Sequence, residues 1–193
     1  MTVMVEPRAV AADLIRTTAL DEAACRAEGG QNKPKANWLL FDRVTAALTA
    51  WQEEDALHRK GLLLSEWLAV EMAGYSTSML GDEVKGWLQE FGDEVRREQR
   101  HAHPAGPTAI DILSIVLDSE DREGRPGAAG DERLQRIVVP YARYLRAGHT
   151  LEDVREVVLT LALWAGSRLA SLMRNDAARV TGYLDRRDAA LRT

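Results

Sequence analysis

Cysteine is almost missing from this chain: Cys25 stands alone among 193 residues. No disulfide can form within the chain, and a cysteine-built zinc site is excluded. Basic character is lacking as well. Asp and Glu total 30 against 25 for Lys and Arg, giving a net charge of −5 and a pI near 5.5. Broad binders of nucleic acid or anionic membrane are usually basic, so this balance weighs against both and leaves only a local patch open. There is no long hydrophobic run. The most apolar stretch, 157–166, lies between Glu156 and Arg168 and falls short of the roughly 20 residues a membrane span needs. The opening MTVMVEPRAV lacks the apolar centre of a signal peptide. No glycine-rich phosphate loop or serine-nucleophile motif is present. The expectation is a cytoplasmic chain without a cofactor and without a membrane. Lysine is confined to Lys33, Lys35, Lys60 and Lys85 while arginine and alanine abound. That bias suits GC-rich coding, as in some bacteria and their phages.

What is present is helix pattern. Hydrophobic content is 46% and charged content 28%, ordinary for a globular protein, and the length suits one domain spanning 1–193. The strongest signal is 150–174. Leu151, Val154, Val157, Val158, Leu161, Trp164, Ala165, Leu169 and Leu172 recur at steps of three and four, which places them on one helical stripe. Thr150 is placed to cap this helix, with Asp153 at the capping-box position. Ala162, Gly166 and Ala170 leave a shallow groove where another helix backbone can approach. This segment is read as the central helix, with Leu161 and Trp164 as its most sensitive core positions.

The remaining chain supplies partners for it. Pro7 opens a first helix whose stripe of large apolar residues is thin. Residues 29–36 form a loop, after which Asn37 caps a helix carrying Trp38, Phe41, Val44, Leu48 and Trp51. A helix over 57–75 follows, then a turn or kink at 74–82. A further stripe of Leu80, Val84, Trp87, Leu88, Phe91 and Val95 runs toward Arg100. Thr108 and Asp111 form a candidate capping box before 110–117, and 119–130 reads as a mobile loop. Asp131 caps 132–147, with Ile137, Val138 and Tyr141 inward and Pro140 as a kink. Gly148 then forces a tight turn into the central helix, an αα-hairpin. A helical tail covers 176–193. The fold class is all-α, a single-domain bundle of about six to eight helices with a C-terminal αα-hairpin.

Four groups of residues carry candidate chemistry. Arg96 and His101 stand in the spacing R-x4-H; Arg97 with His103, and Arg143 with His149, stand in R-x5-H. This resembles the arginine–histidine signature of HEPN ribonucleases, small all-α proteins that usually dimerise. The resemblance implies metal-independent RNA cleavage by paired Arg and His at a dimer cleft. The alternative is a basic last helical turn in which Arg96, Arg97, Arg100 and His101 meet helix-end carbonyls. Glu94, Glu98 and His101 share a helical face, with the i, i+3 carboxylate–histidine spacing of di-iron bundles; a solvated charged face is the competing reading.

Trp38, Trp51, Trp67, Trp87 and Trp164 lie on apolar stripes, fit for a core or for the lining of a ligand pocket. Arg174, Arg179, Arg186, Arg187 and Arg192 punctuate the tail, either as a phosphate-facing strip or as a salt-bridged helix face. Cys25 reads as a small core residue. The function expected is a non-enzymatic helical interaction protein: a regulator, adaptor or small subunit of a larger assembly, with a protein partner or a second copy. The alternatives are HEPN-like RNA cleavage and a helical subunit contacting nucleic acid through the tail.

Overall fold

The computed structural model describes residues 6–27, 29, 36–98, 104–123 and 130–190. Among them run eight α-helices and no strand: α1 (Pro7–Ala27), α2 (Ala36–Glu53), α3 (Leu57–Leu80), α4 (Val84–Glu98), α5 (Gly106–Glu123), α6 (Gly130–Tyr144), α7 (Thr150–Leu172) and α8 (Ala177–Ala190). This is the expected all-α bundle. One apolar core draws side chains from every one of these helices.

α7 sits at the centre, packed mainly against α3 and α1. Its buried face carries Val154, Val157, Val158, Leu161, Ala162, Ala165, Gly166, Leu169 and Ala170. The small-residue groove is filled by α1. A Cβ on Gly166 would lie 2.3 Å from Thr18 Cβ and 3.0 Å from the Ala19 backbone nitrogen. α3 also approaches α7 through a glycine: a Cβ on Gly61 would lie 2.7 Å from Val154 Cγ1 and 2.9 Å from the Tyr141 hydroxyl oxygen. Each glycine costs about 1 kcal/mol against alanine in a helix, and the close packing it permits offsets that. α1 shows the same logic from the other side. Its thin stripe suggested weak packing, yet buried Ala11, Thr18, Ala19 and Ala23 are small enough to bring two backbones together.

Several helix starts differ from expectation. Thr150 is already helical, and His149 occupies the cap position without a side-chain capping bond. Asp153 forms no capping box. It turns back toward the preceding turn, where its carboxylate accepts the Arg146 backbone N–H at 2.6 Å and the guanidinium at 2.5 and 3.0 Å. Asn37, Thr108 and Asp131 likewise lie inside α2, α5 and α6 rather than capping them. In each case the chain enters the helix one or two residues before the polar side chain.

Between α3 and α4 the break falls at Gly81, near the end of the expected 74–82 stretch, because α3 runs on to Leu80. Gly81 adopts φ 55° and opens a single 3-10 turn, Gly81–Glu83. Of the expected loop at 119–130, residues 119–123 belong to α5, and 124–129 lie outside the described residues. α6 continues through Pro140, with Ile137 and Tyr141 buried and Val138 exposed.

The tight turn at Gly148 is present, with φ 84°. Its two helices do not pack along each other as the expected αα-hairpin would: α6 lies on α5 and α3, and α7 on α3 and α1. Near the turn they are tied by the Tyr144 hydroxyl, which donates to Glu156, and by Arg146 with Asp153. At the other end of α7, Arg174 and Asn175 both take left-handed backbone angles. Asp176 then caps α8, accepting N–H bonds from Ala178 at 2.9 Å and Arg179 at 3.1 Å. α8 bends away from α7 by 109° and lies along α1. No single helix among the described residues is long and apolar enough to cross a membrane.

Candidate interaction surface

Arg96 lies in the last turn of α4 and faces α5. Its Nη2 bonds Asp111 at 3.2 Å, and its Nη1 lies 3.9 Å from Asp93. The Arg97 Nε–H donates to the Asp93 carbonyl one turn back, as a basic last turn would do. Arg96 also borders an open cleft of about 270 Å³ floored by Leu88, Ile110 and Leu117. His101 and His103 lie outside the described residues. Arg143 and His149 are both exposed. His149 Nδ1 lies 3.1 Å from Glu152 and lines a cleft of about 340 Å³ with Gln52 and Arg155; Arg143 does not line it. Glu94 and Glu98 are exposed on the outer face of α4. Among the described residues no three His, Cys, Asp or Glu gather as metal ligands.

The tail arginines separate. Arg174, Arg179 and Arg186 are exposed, with Arg179 Nε 3.6 Å from Asp176. Arg187 points inward instead. It donates to the Tyr75 hydroxyl at 2.8 Å and to the Glu71 carboxylate. Burial pushes the Glu71 carboxyl above its usual range, although Arg187 and the Tyr75 hydrogen bond pull the other way. Together with buried Val180 and Leu184, this pairing fastens α8 to the bundle. Arg192 lies outside the described residues, and Cys25, expected in the core, is half-buried.

The tryptophans depart furthest from their shared expectation. Trp51 alone is fully buried; Trp67, Trp87 and Trp164 are half-buried at the edge of the core. Trp38 is 81% exposed, followed by Leu39 at 48% and Phe41 at 37%. The buried stripe of α2 is Leu40, Val44, Ala47, Leu48 and Trp51. That set is complete at helical spacing without Trp38 or Phe41, a signal the sequence already held.

Comparison with protein-family models, curated proteins and solved structures gives no match.

The exposed apolar end of α2 is held firmly in place. Arg43 reaches α1, bonding Asp13 at 2.6 Å and the Thr17 hydroxyl at 2.8 Å. From α7, the Arg155 guanidinium lies 4.4 Å from the Phe41 ring centre. Single exposed apolar side chains are ordinary, but Trp38 and Phe41, three positions apart, stand exposed on one face of α2, with exposed Leu39 about 100° further round the helix.

Proposed function

We propose that this chain is a non-enzymatic helical protein that acts through protein contacts in the cytoplasm, as a regulator, adaptor or small subunit of a larger assembly. The observation that carries this reading is the exposed Trp38–Leu39–Phe41 end of α2. Tryptophan is strongly enriched among the residues that dominate binding energy at protein interfaces. A rigid scaffold presenting such a side chain loses little freedom on binding, because the helix beneath it is already ordered. The RNA-cleavage reading gains nothing from Arg96, whose guanidinium is engaged by Asp111 and Asp93. Arg143 and His149 do not share a cleft. A photoreactive phenylalanine analogue in place of Trp38, irradiated in the cells that make the protein, tests the reading. The expected result is a discrete adduct, with a second copy or another protein.

A further inference from the structure

We propose that α8 is an exchangeable arm: the joint between α7 and α8 straightens, and α8 of one copy takes the seat on α1 and α3 of a second copy, which gives its own α8 in return to close a two-fold dimer. The proposal goes beyond the Trp38 reading and uses none of its residues.

The seat belongs to helices other than the one that carries the arm. α8 lies mainly along α1 and only lightly against α7. Val180 and Leu184 are buried in the core. Asp185 pairs with Arg16 of α1 at 2.7 Å. Arg187 bonds Glu71 and the Tyr75 hydroxyl of α3, and the Tyr183 ring meets Tyr75 edge-on at 6.1 Å. None of these pairings uses a residue of α7, so the α8 of a second copy restores every one of them on an intact seat. The seat therefore selects its occupant. The sequence that matches it in apolar contacts and in charge is α8 itself, and exchange of an identical element is a low-cost route to a dimer.

The joint is strained in the closed form. The Asn175 N–H bonds the Ala170 carbonyl at 2.7 Å, and the Arg174 N–H bonds the Ser171 carbonyl at 2.9 Å. A helix end of this kind usually has glycine at its left-handed position. Here Arg174 at φ 59° and Asn175 at φ 56° stand there in succession. Asparagine tolerates that conformation, but the Cβ of arginine crowds the following carbonyl oxygen. The chain turns by 109° at this point, yet no glycine or proline occurs within 167–181. The inward stripe also keeps its register through the break. Leu169, Met173, Val180, Leu184 and Arg187 follow one another at helical spacing, so a straight helix would carry one unbroken face.

Two things hold the closed form: the Asp176 cap of α8 and the tether itself. A short tether gives the chain's own arm a local concentration in the millimolar range. Relief of a left-handed residue favours the straight form by about tenfold at each of the two joints, which brings exchange to about 0.1 mM chain or below.

Size-exclusion chromatography with light scattering on the full chain reads the dimer, after warming to just below the melting midpoint at about 10 µM to 1 mM. The expected dimer fraction rises with concentration. Asn175→Ala favours helix and disfavours the left-handed joint, so it should strengthen dimerisation about tenfold; Arg174→Gly does the reverse and should weaken it by about as much. Charge reversal then identifies the arm. A chain carrying Glu71→Arg and a chain carrying Arg187→Glu each repel their own α8. Mixed one to one they should give a mixed dimer by mass, because only exchange sets each arm against the opposite charge. A chain that stays monomeric over the whole range, a dimer indifferent to both joint variants, or a folded mixture without mixed dimer overturns the proposal. Should the charge-reversed chains fail to fold even when mixed, the opposite responses of the two joint variants decide alone. The Trp38 crosslink reads another surface, so the two readings fail separately.

Discussion

Replacing Gly166 by alanine tests the packing logic of the bundle in one atom. In a helix taken alone, the change is favourable by about 1 kcal/mol. In this fold the added Cβ meets Thr18 Cβ at 2.3 Å, Thr18 Oγ1 at 2.8 Å and the Ala19 nitrogen at 3.0 Å. The Thr18 side chain is buried and tied to the Leu14 carbonyl, and Ala19 contributes backbone, so neither can swing aside. α1 must move bodily away from α7. Overpacking of this kind costs about 1–3 kcal/mol or more, which exceeds the propensity gain. With the 2.3 Å clash placing the cost in the upper part of that range, subtracting the propensity gain of about 1 kcal/mol leaves a net loss of about 1–2 kcal/mol, which lowers the melting temperature of a chain this size by roughly 2–8 °C. The control is Gly74→Ala, at an exposed helical site with nothing within 4 Å, where the same substitution should stabilise by about 0.5–1 kcal/mol. Thermal and urea unfolding followed by circular dichroism read both. A neutral or raised midpoint for Gly166→Ala would refute the placement of α1 in the α7 groove.

Further outcomes follow from burial and charge. Trp51→Ala should cost about 3–5 kcal/mol, while Trp38→Ala should change stability by less than about 0.5 kcal/mol; urea midpoints separate them. Burial disfavours the Asp153 charge, but the Arg146 side-chain and backbone bonds outweigh it and hold the carboxyl below its usual range. The resulting stability is present above the unfolded-state pKa of about 3.9 and is lost as pH falls through the lower folded-state value. Urea midpoints between about pH 5 and pH 2 should therefore drop less steeply in Asp153→Asn than in the parent chain, and an equal slope would count against the Arg146 clamp. Single-stranded and structured RNA incubated with the purified chain and a chelator should remain intact. Cleavage abolished by Arg96→Ala or His149→Ala would favour the nuclease reading instead.

The all-α class and the central helix were legible because both depend on periodicity, which the sequence states directly. The α7 groove was legible for the same reason, through Ala162, Gly166 and Ala170. Helix starts were less so. Asn37, Thr108, Asp131 and Thr150 are good capping residues, but a cap forms only where tertiary packing lets the chain enter the helix, and here it enters earlier. Asp153 illustrates the competition: the Arg146 N–H of the turn claims the carboxylate that a capping box would have used. The tryptophans show a different limit. Trp38 and Trp51, thirteen positions apart, stand about 140° from each other around the helix, so the Leu40–Trp51 stripe already leaves Trp38 outward; what the sequence withheld is that no neighbouring helix covers it.

The claim that this chain works through protein contacts meets its most direct test at position 38. The photoreactive analogue placed there is compared with the same analogue at Glu90, an exposed site on α4. Both are irradiated in the cells that make the protein, and adducts are resolved by mass. The account predicts a discrete, saturable adduct at position 38, absent at position 90 and competed away by excess unlabelled parent chain but not by excess Trp38→Ala. No adduct at position 38 beyond the level seen at position 90 would contradict it.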